Sequence, residues 1–246
     1  MNLNSSVLPL ILTVLIGSGV KAQTLDISEN LVNFNSAEGE SLLLESEARQ
    51  DYFPLSIQFV TQNNLAYCGV ASIVMVLNAM SIEAPEAPEY RNYRIFTQEN
   101  LFNNPQTQQV MTAEDVRRGG MTLEQLGLLL ASYSVRVEVH YGSDVTLDEF
   151  RSLVVENLQR SDNFVLVNYS RPSIGQERGG HISPIAAYNE ATDRFLVLDV
   201  ARYKYPPVWV KVEELWEAMK TLDSVSGKTR GFVLISPSLS GNEVLF

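Results

Sequence analysis

Residues 68–80 read Cys-Gly-Val-Ala-Ser-Ile-Val-Met-Val-Leu-Asn-Ala-Met, a run that lacks proline and is apolar on nearly every side. Such a run is typical of a buried helix. It begins at Cys68, the only cysteine of the 246 residues. A thiol in the first turn of a helix faces unpaired N–H groups and the positive end of the helix dipole, which favour the thiolate. The run therefore predicts a central helix with a reactive cysteine at its start; a buried structural cysteine is the alternative.

The rest of the chain divides into a helical first half and a β-rich second half. Thr122 and Thr146 each stand three residues before a Gln or Glu, the pattern of a helix-capping box, so we expect helices to about residues 132 and 159. Runs of β-branched and aromatic residues predict strands at 136–141, 163–169, 181–188, 194–200, 208–210 and 231–236, and residues 212–222 a helix. This order predicts an α+β fold, a helical lobe followed by a mostly antiparallel sheet.

The composition excludes one class of partner. The formal net charge is −11, and the acidic residues are spread along the chain. Nucleic-acid binding requires clustered Lys and Arg, so no nucleic-acid partner is expected.

The ends of the chain carry separate expectations. Residues 7–20 form an apolar run of signal-peptide length, and small residues at 20 and 22 predict cleavage after residue 22. The run is too short and interrupted for a stable membrane span, although an uncleaved anchor is the alternative. We therefore expect export to the periplasm or the cell exterior. Residues 23–50 are polar and predict an extended or loosely packed arm, 51–236 the catalytic domain, and 237–246 a tail.

A cysteine nucleophile needs a base, and the chain has two histidines. His140 has no nearby carboxylate in sequence before Asp144 and is expected to be structural. His181 follows two glycines and begins a predicted strand, and Asp199 ends the next one. The turn between these strands contains the midpoint of 181 and 199, so a hairpin would place the two residues opposite or nearly opposite each other. Cys68, His181 and Asp199 therefore form the predicted catalytic triad, with Asp199 orienting the imidazole.

Other polar residues near these segments are candidates for binding roles. Gln62 precedes Cys68 by six residues and is a candidate oxyanion-hole donor, beside the backbone N–H of Cys68; the alternative is a solvated loop glutamine. Four basic residues flank the catalytic strands and suggest a locally basic rim in an acidic protein, unless they are ordinary surface charges. They are Arg171, Arg178, Arg202 and Lys204.

Several segments resemble one known family. Residues 62–72, which lead into the predicted central helix, are similar to the nucleophile segment of phytochelatin synthases. Residues 180–185 and 198–207 resemble the other two catalytic segments of that family, and residues 215–219 and 226–232 resemble further family segments. The resemblance covers about residues 50–236. It is to the short prokaryotic members, because the cysteine-rich C-terminal domain of the plant enzymes is absent from the sequence.

The resemblance implies a papain-like cysteine protease fold and glutathione, γ-Glu-Cys-Gly, as the substrate. It implies that Cys68 attacks the Cys–Gly amide, that glycine leaves, and that a γ-Glu-Cys thioester remains on Cys68. Hydrolysis to γ-Glu-Cys is the expected main outcome, and transfer to a second glutathione, giving phytochelatin, the lesser one.

The resemblance also implies binding residues. Asp223 would meet the γ-Glu ammonium and Arg230 its α-carboxylate, while Arg202 and Lys204 would lie near a second glutathione. A solvated helix end and an ion pair at the sheet edge are the alternatives for the first two residues.

No cofactor is expected, and heavy metals such as Cd²⁺ would enter as metal-bound glutathione. The chain has no cysteine cluster and no histidine pair at ligand spacing, so no bound metal is predicted.

Two other functions stay open at this point. A different papain-like peptidase acting on another small thiol peptide would share the triad and differ in the pocket. A binding module with a structural Cys68 would have no activity. The sequence is compatible with a monomer or a homodimer.

Overall fold

The computed structural model describes residues 24–238. The predicted signal peptide at 1–22 and residues 239–246 of the predicted tail lie outside the described residues. Within 24–238 the chain forms seven strands and eight α-helices. The strands are β1 (Val32–Asn33), β2 (Val135–Tyr141), β3 (Phe164–Ser170), β4 (Gly180–Asn189), β5 (Arg194–Val197), β6 (Val208–Lys211) and β7 (Gly231–Pro237). The helices are α1 (Ala37–Glu45), α2 (Tyr52–Ile57), α3 (Cys68–Ala79), α4 (Pro105–Val110), α5 (Ala113–Gly119), α6 (Leu123–Ala131), α7 (Leu147–Leu158) and α8 (Val212–Met219).

The helix starts follow from local capping chemistry. The side chains of Thr122 and Thr146 accept from the backbone N–H three residues on. The side chains of Gln125 and Glu149 in turn accept from the backbone N–H of Thr122 and Thr146. Both predicted capping boxes are confirmed. A third box, Thr112 with Asp115, begins α5 and was not predicted.

All the described strands join one antiparallel sheet in the order β1-β6-β5-β4-β3-β7-β2. The predicted α+β class is confirmed. The buried helix α3 packs with α6 and the loops of the first half in one hydrophobic cluster, which includes Ile182 of β4. The helices α7 and α8 cover the sheet through a second cluster, which includes Phe150 and Phe195. Because β4 lies at the centre of the sheet, its second residue, the buried His181, is held between several packed elements.

The expectation of an extended or loosely packed arm at residues 23–50 was wrong for residues 24–50, the part of it that the structure describes. Strand β1 pairs with β6, and the backbone N–H of Tyr188 donates to the carbonyl of Ala48 at 2.9 Å. The fully buried indole of Trp209 donates to the carbonyl of Gly39 at 3.0 Å, and Leu42 of α1 is buried. These contacts join residues 24–50 to the sheet despite their polar composition, since α1 needs only one apolar side.

The hairpin of β4 and β5 has a register that differs from the predicted one. Asn189 pairs with Arg194, and a shift between Ile185 and Ala187 then sets Ile185 opposite Val197. Continued outward, this register brings Asp199 level with residue 183, two residues from the predicted position opposite His181. Asp199 also lies beyond the end of β5. The four-residue turn causes the offset and the bulge reduces it by one residue; periodicity reveals neither.

No helix among residues 24–238 is both long enough and apolar enough to cross a membrane.

Candidate active site

Cys68 is the first residue of α3, as the sequence predicted, and it is partly exposed. The preceding residue, Tyr67, provides no side-chain cap, so no capping side chain occupies the first turn of the helix. The hydroxyl of Ser72 donates to the carbonyls of Cys68 and Ile182, at 2.8 and 3.2 Å. Ser72 therefore fixes the start of α3 against β4, the strand that carries His181.

His181 stands between the thiol and the carboxylate. It is 4% exposed, lies in hydrogen-bonding contact with the Cys68 side chain, and its Nε2 is 2.8 Å from Oδ1 of Asp199. The ring of Tyr169, its cross-strand neighbour on β3, packs edge-on against it at 5.8 Å between ring centres. The structure thus brings together the three residues predicted as a triad, even though the hairpin register is offset.

Asp199 has a further partner that sequence reasoning misplaced. Arg171 is 3% exposed, and its guanidinium donates two hydrogen bonds to the Asp199 carboxylate, Nη1 to Oδ2 at 2.8 Å and Nη2 to Oδ1 at 3.0 Å. The predicted position of Arg171 on a basic rim is therefore wrong. A usable signal was its place directly after β3, two residues beyond Tyr169, which pairs with His181.

The charges of these groups follow from their contacts. Burial opposes the thiolate of Cys68, but the His181 side chain and the backbone N–H groups of Ile182 and Gly69 outweigh it and lower the pKa of Cys68. Burial likewise opposes the imidazolium, yet the Asp199 carboxylate raises the pKa of His181. The pKa of Asp199 is lowered against its own burial by His181 and Arg171. The site therefore favours a thiolate–imidazolium pair.

A cavity of about 490 Å³ opens beside Cys68 and His181. Asn168, Asp223 and Arg230 contribute polar groups to its wall. Nη1 of Arg230 donates to Oδ1 of Asn168 at 2.9 Å and lies 4.0 Å from Oδ2 of Asp223, while Nε of Arg230 is buried without a partner. One cavity thus presents a cation, a carboxylate and a neutral amide to a ligand that touches the thiol.

The remaining candidates lie outside this cavity. Arg178 and Arg202 are exposed, and Arg202 covers the ring of Phe59 at 4.7 Å. Lys204 pairs with Glu177 at 2.9 Å. None of the three lines the cavity that holds Cys68, so the structure does not gather them into a basic rim around it.

Gln62 is buried, but its amide is engaged. Its Nε2 donates to the carbonyl of Asn64 at 2.6 Å and to the hydroxyl of Tyr203 at 3.1 Å. Gln62 can therefore serve as an oxyanion donor only after one of these partners releases it.

The remaining histidine, His140, stacks on Phe232 at 4.8 Å between ring centres, as expected of a structural residue. Across residues 24–238, no three His, Cys, Asp or Glu side chains gather in a group that could hold a metal.

The family model described as phytochelatin synthase matches residues 22–232. This chain belongs to the phytochelatin synthase family. The resemblance drawn from the catalytic segments is thereby confirmed.

Individual relatives of this phytochelatin synthase-family chain carry one kind of name. Glutathione gamma-glutamylcysteinyltransferase 1 of Arabidopsis thaliana is 37% identical over 208 residues, which are 83% of this chain and 41% of the relative. Glutathione gamma-glutamylcysteinyltransferase 3 of Lotus japonicus is 32% identical over 87% of this chain and 44% of its own length. The Schizosaccharomyces pombe glutathione gamma-glutamylcysteinyltransferase is 32% identical over 83% of this chain and 48% of its own. The chain spans less than half the length of these relatives.

Proposed function

We propose that this chain is a cysteine acyltransferase and hydrolase that acts on glutathione, and that its α+β fold is papain-like. The observation that carries the proposal is the joint geometry of Cys68, His181 and Asp199 beside a cavity with Arg230 and Asp223. The names of the relatives supply the substrate. A cysteine at the head of a central helix, with the histidine and carboxylate delivered by a sheet, supports the papain-like assignment.

In the proposed first step, the Cys68 thiolate attacks the carbonyl carbon of the Cys–Gly amide. The imidazolium of His181 gives its proton to the amide nitrogen, the C–N bond breaks, and glycine leaves. The γ-Glu-Cys group is then joined to Sγ as a thioester. In the second step His181 takes a proton from water or from the amine of a second glutathione, which attacks the thioester and restores the thiol.

The charges of the cavity fit one end of this substrate. The γ-Glu group carries an ammonium and an α-carboxylate on the same carbon, and the cavity carries Asp223 and Arg230 close together. Arg can hold a carboxylate through two parallel bonds, and Asp can accept from the ammonium. An ordinary α-linked peptide lacks this pair of free charges in the same arrangement and would leave the cavity residues unpaired.

The test is incubation of the protein with glutathione, with and without Cd²⁺, followed by mass analysis. Glycine with γ-Glu-Cys would indicate hydrolysis, and (γ-Glu-Cys)₂-Gly would indicate transfer. A Cys68→Ser variant should keep the fold and form neither product. If the wild-type protein forms neither, the proposed function is wrong.

A matched peptide separates the proposal from a general peptidase. The α-linked tripeptide Glu-Cys-Gly has the same composition and charge as glutathione and differs only in one linkage. We expect its cleavage to be slower by about tenfold or more, which corresponds to the loss of one charged contact. Equal cleavage of the two peptides would favour a papain-like peptidase acting on small thiol peptides in general.

We also propose that residues 1–22 direct export and are removed. The apolar run at 7–20 supports this proposal. Mass analysis of protein recovered from the outside of the cytoplasmic membrane should find a chain that begins at Gln23. An intact N-terminus there would indicate an uncleaved anchor, and recovery from the cytoplasm alone would exclude export.

A further inference from the structure

The carboxylate of Asp199 is surrounded by donors that fix its plane. Arg171 reaches both oxygens, and the backbone N–H of Ala201 donates to Oδ1 at 2.8 Å. Oδ1 therefore accepts from two N–H groups and also lies 2.8 Å from Nε2 of His181, while Oδ2 accepts from the guanidinium. A planar fork matched to a carboxylate leaves little freedom for the carboxylate to turn.

Arg171 is itself held in place. It begins the 3₁₀ turn Arg171–Ile174 directly after β3, and Nη1 also donates to Oε1 of Gln176. Its guanidinium lies over the ring of Tyr205 at 5.1 Å. Its backbone N–H donates to the carbonyl of Gly179 at 3.0 Å, two residues before His181. One residue thus connects the loop that carries Asp199 with the start of the strand that carries His181.

We propose that Arg171 is a positioning residue of the Cys68 site. Its two bonds to the carboxylate orient Asp199 toward His181, and its positive charge weakens the hold of His181 on its proton. The proposal rests on the proposed function, in which His181 must both hold a proton and give it to the leaving group. A carboxylate acting alone in a buried site would strengthen the hold on that proton.

The groups facing Arg171 give the direction of this effect. They come from the loop after β5, from β4, from β3 and from α3, and they are Asp199, Tyr205, His181, Tyr169 and Cys68. Burial and the charge of Arg171 lower the pKa of His181, whereas Asp199 raises it. Removal of the positive charge should therefore raise the pKa of His181 and move its deprotonation to higher pH.

The chain offers a matched control for an Arg–Asp fork. Arg151 donates two hydrogen bonds to the carboxylate of Asp193, Nε to Oδ1 at 2.8 Å and Nη2 to Oδ2 at 2.9 Å. Asp193 lies in the turn of the hairpin formed by β4 and β5, at the end opposite to His181. Loss of this fork perturbs the same hairpin without touching the site.

The experiment compares Arg171→Met, Arg171→Lys and Arg151→Met with the wild-type protein. The readout is the rate of Cys68 alkylation by iodoacetamide between about pH 5 and 10, which needs no glutathione activity because Cys68 is the only cysteine. The alkylation rate should change in a step, the His181 edge, at the pH where the imidazolium loses its proton. Removal of the charge in Arg171→Met should move this edge to higher pH. Arg171→Lys keeps the charge, so the edge should stay, while kcat for glycine release should fall by about tenfold or more at unchanged KM. Arg151→Met should change neither.

Two results would overturn the proposal. One is a folded Arg171→Met protein whose alkylation profile coincides with that of the wild type. The other is an Arg171→Lys protein with wild-type kcat, which decides the matter even if the methionine variant does not fold. Failure of the proposed function looks different, because the wild-type protein would then release no glycine while its alkylation profile still responded to Arg171→Met.

Discussion

The guanidinium of Arg230 lies against the Cα of Gly180, the residue before His181. A Cβ at position 180 would come within 2.7 Å of Cζ and 2.8 Å of Nη2 of Arg230. Gly180 therefore leaves room for the Arg230 side chain in the cavity beside the thiol. The absence of a side chain at one position of β4 sets the place of the cation.

Gly180→Ala is expected to displace Arg230 while leaving the Cys68–His181 pair in place. The KM for glutathione should rise by about tenfold, equivalent to about 1.4 kcal/mol, with a smaller change in kcat. Steady-state measurement of glycine release checks this. The rate of Cys68 alkylation serves as the control and should remain close to that of the wild type. An unchanged KM would mean that Arg230 does not bind the substrate from this position.

His181→Ala should make the thiol of Cys68 less acidic. Without the imidazole, burial acts on the thiol with less opposition, so the pKa of Cys68 rises and less thiolate is present near pH 7. Alkylation at pH 7 is expected to slow by about tenfold or more, and the rate should recover as the pH is raised. Measurement of the iodoacetamide rate across this range tests the ion pair. Wild-type reactivity at pH 7 in the alanine variant would show that the helix start alone activates the thiol.

Asp51 is a buried carboxyl whose Oδ2 has no hydrogen-bond partner. Burial first, and then the charge of Asp162, raise the pKa of Asp51 to about 9. The unfolded chain ionises this group near pH 4, so the folded state binds the extra proton and the free energy of unfolding falls as the pH rises from about 4 to 9. Asp51→Asn cannot ionise, and it should be more stable than the wild type by about 1–3 kcal/mol at pH 8, with little gain near pH 4.

Chemical denaturation at the two pH values measures this difference. Asp162→Asn should show a smaller gain of the same sign, because it removes only the like charge. Asp162 has a positive φ of 63°, which an asparagine at this position tolerates. A wild-type stability that does not fall between pH 4 and 8 relative to Asp51→Asn would contradict the assignment.

Trp209→Phe tests whether residues 24–50 are part of the folded unit. The change removes the indole donor to the carbonyl of Gly39 and leaves a cavity beside α1. The free energy of unfolding should fall by about 2–4 kcal/mol. Trp216 is the matched control, since its indole donates to the carbonyl of Val145 at 3.1 Å in a half-buried position. Trp216→Phe should cost about 1 kcal/mol. Equal losses in the two variants would indicate that α1 contributes little.

Local chemistry made much of the fold predictable. The capping boxes of Thr122 and Thr146 act within one turn of helix, and the apolar run after Cys68 specifies burial without reference to the rest of the chain. The position of Cys68 at the start of α3 followed from this run. The meeting of His181 with Asp199 followed from a hairpin, whose two strands are close in sequence.

The features that were missed depend on distant partners or on backbone detail. Arg171 resembles any surface arginine in sequence, and it becomes a buried partner only because the fold brings it to Asp199, which is 28 residues away along the chain. The pairing of β1 with β6 joins residues with no common local pattern. The four-residue turn between Asn189 and Arg194 shifted the register of the hairpin, and the bulge between Ile185 and Ala187 reduced that shift by one residue; periodicity records neither.

The pairing of β1 with β6 also bears on how the chain is made. Gly39 leaves the ribosome 170 residues before Trp209, which holds it in the finished protein. Until β4 and β6 have been made, α1 and β1 lack the strands on which they pack, and contacts this far apart in sequence form late. A chain that stops before β6 therefore lacks both the strand that pairs with β1 and the Trp209 indole that bonds Gly39, so its first segment stays undocked.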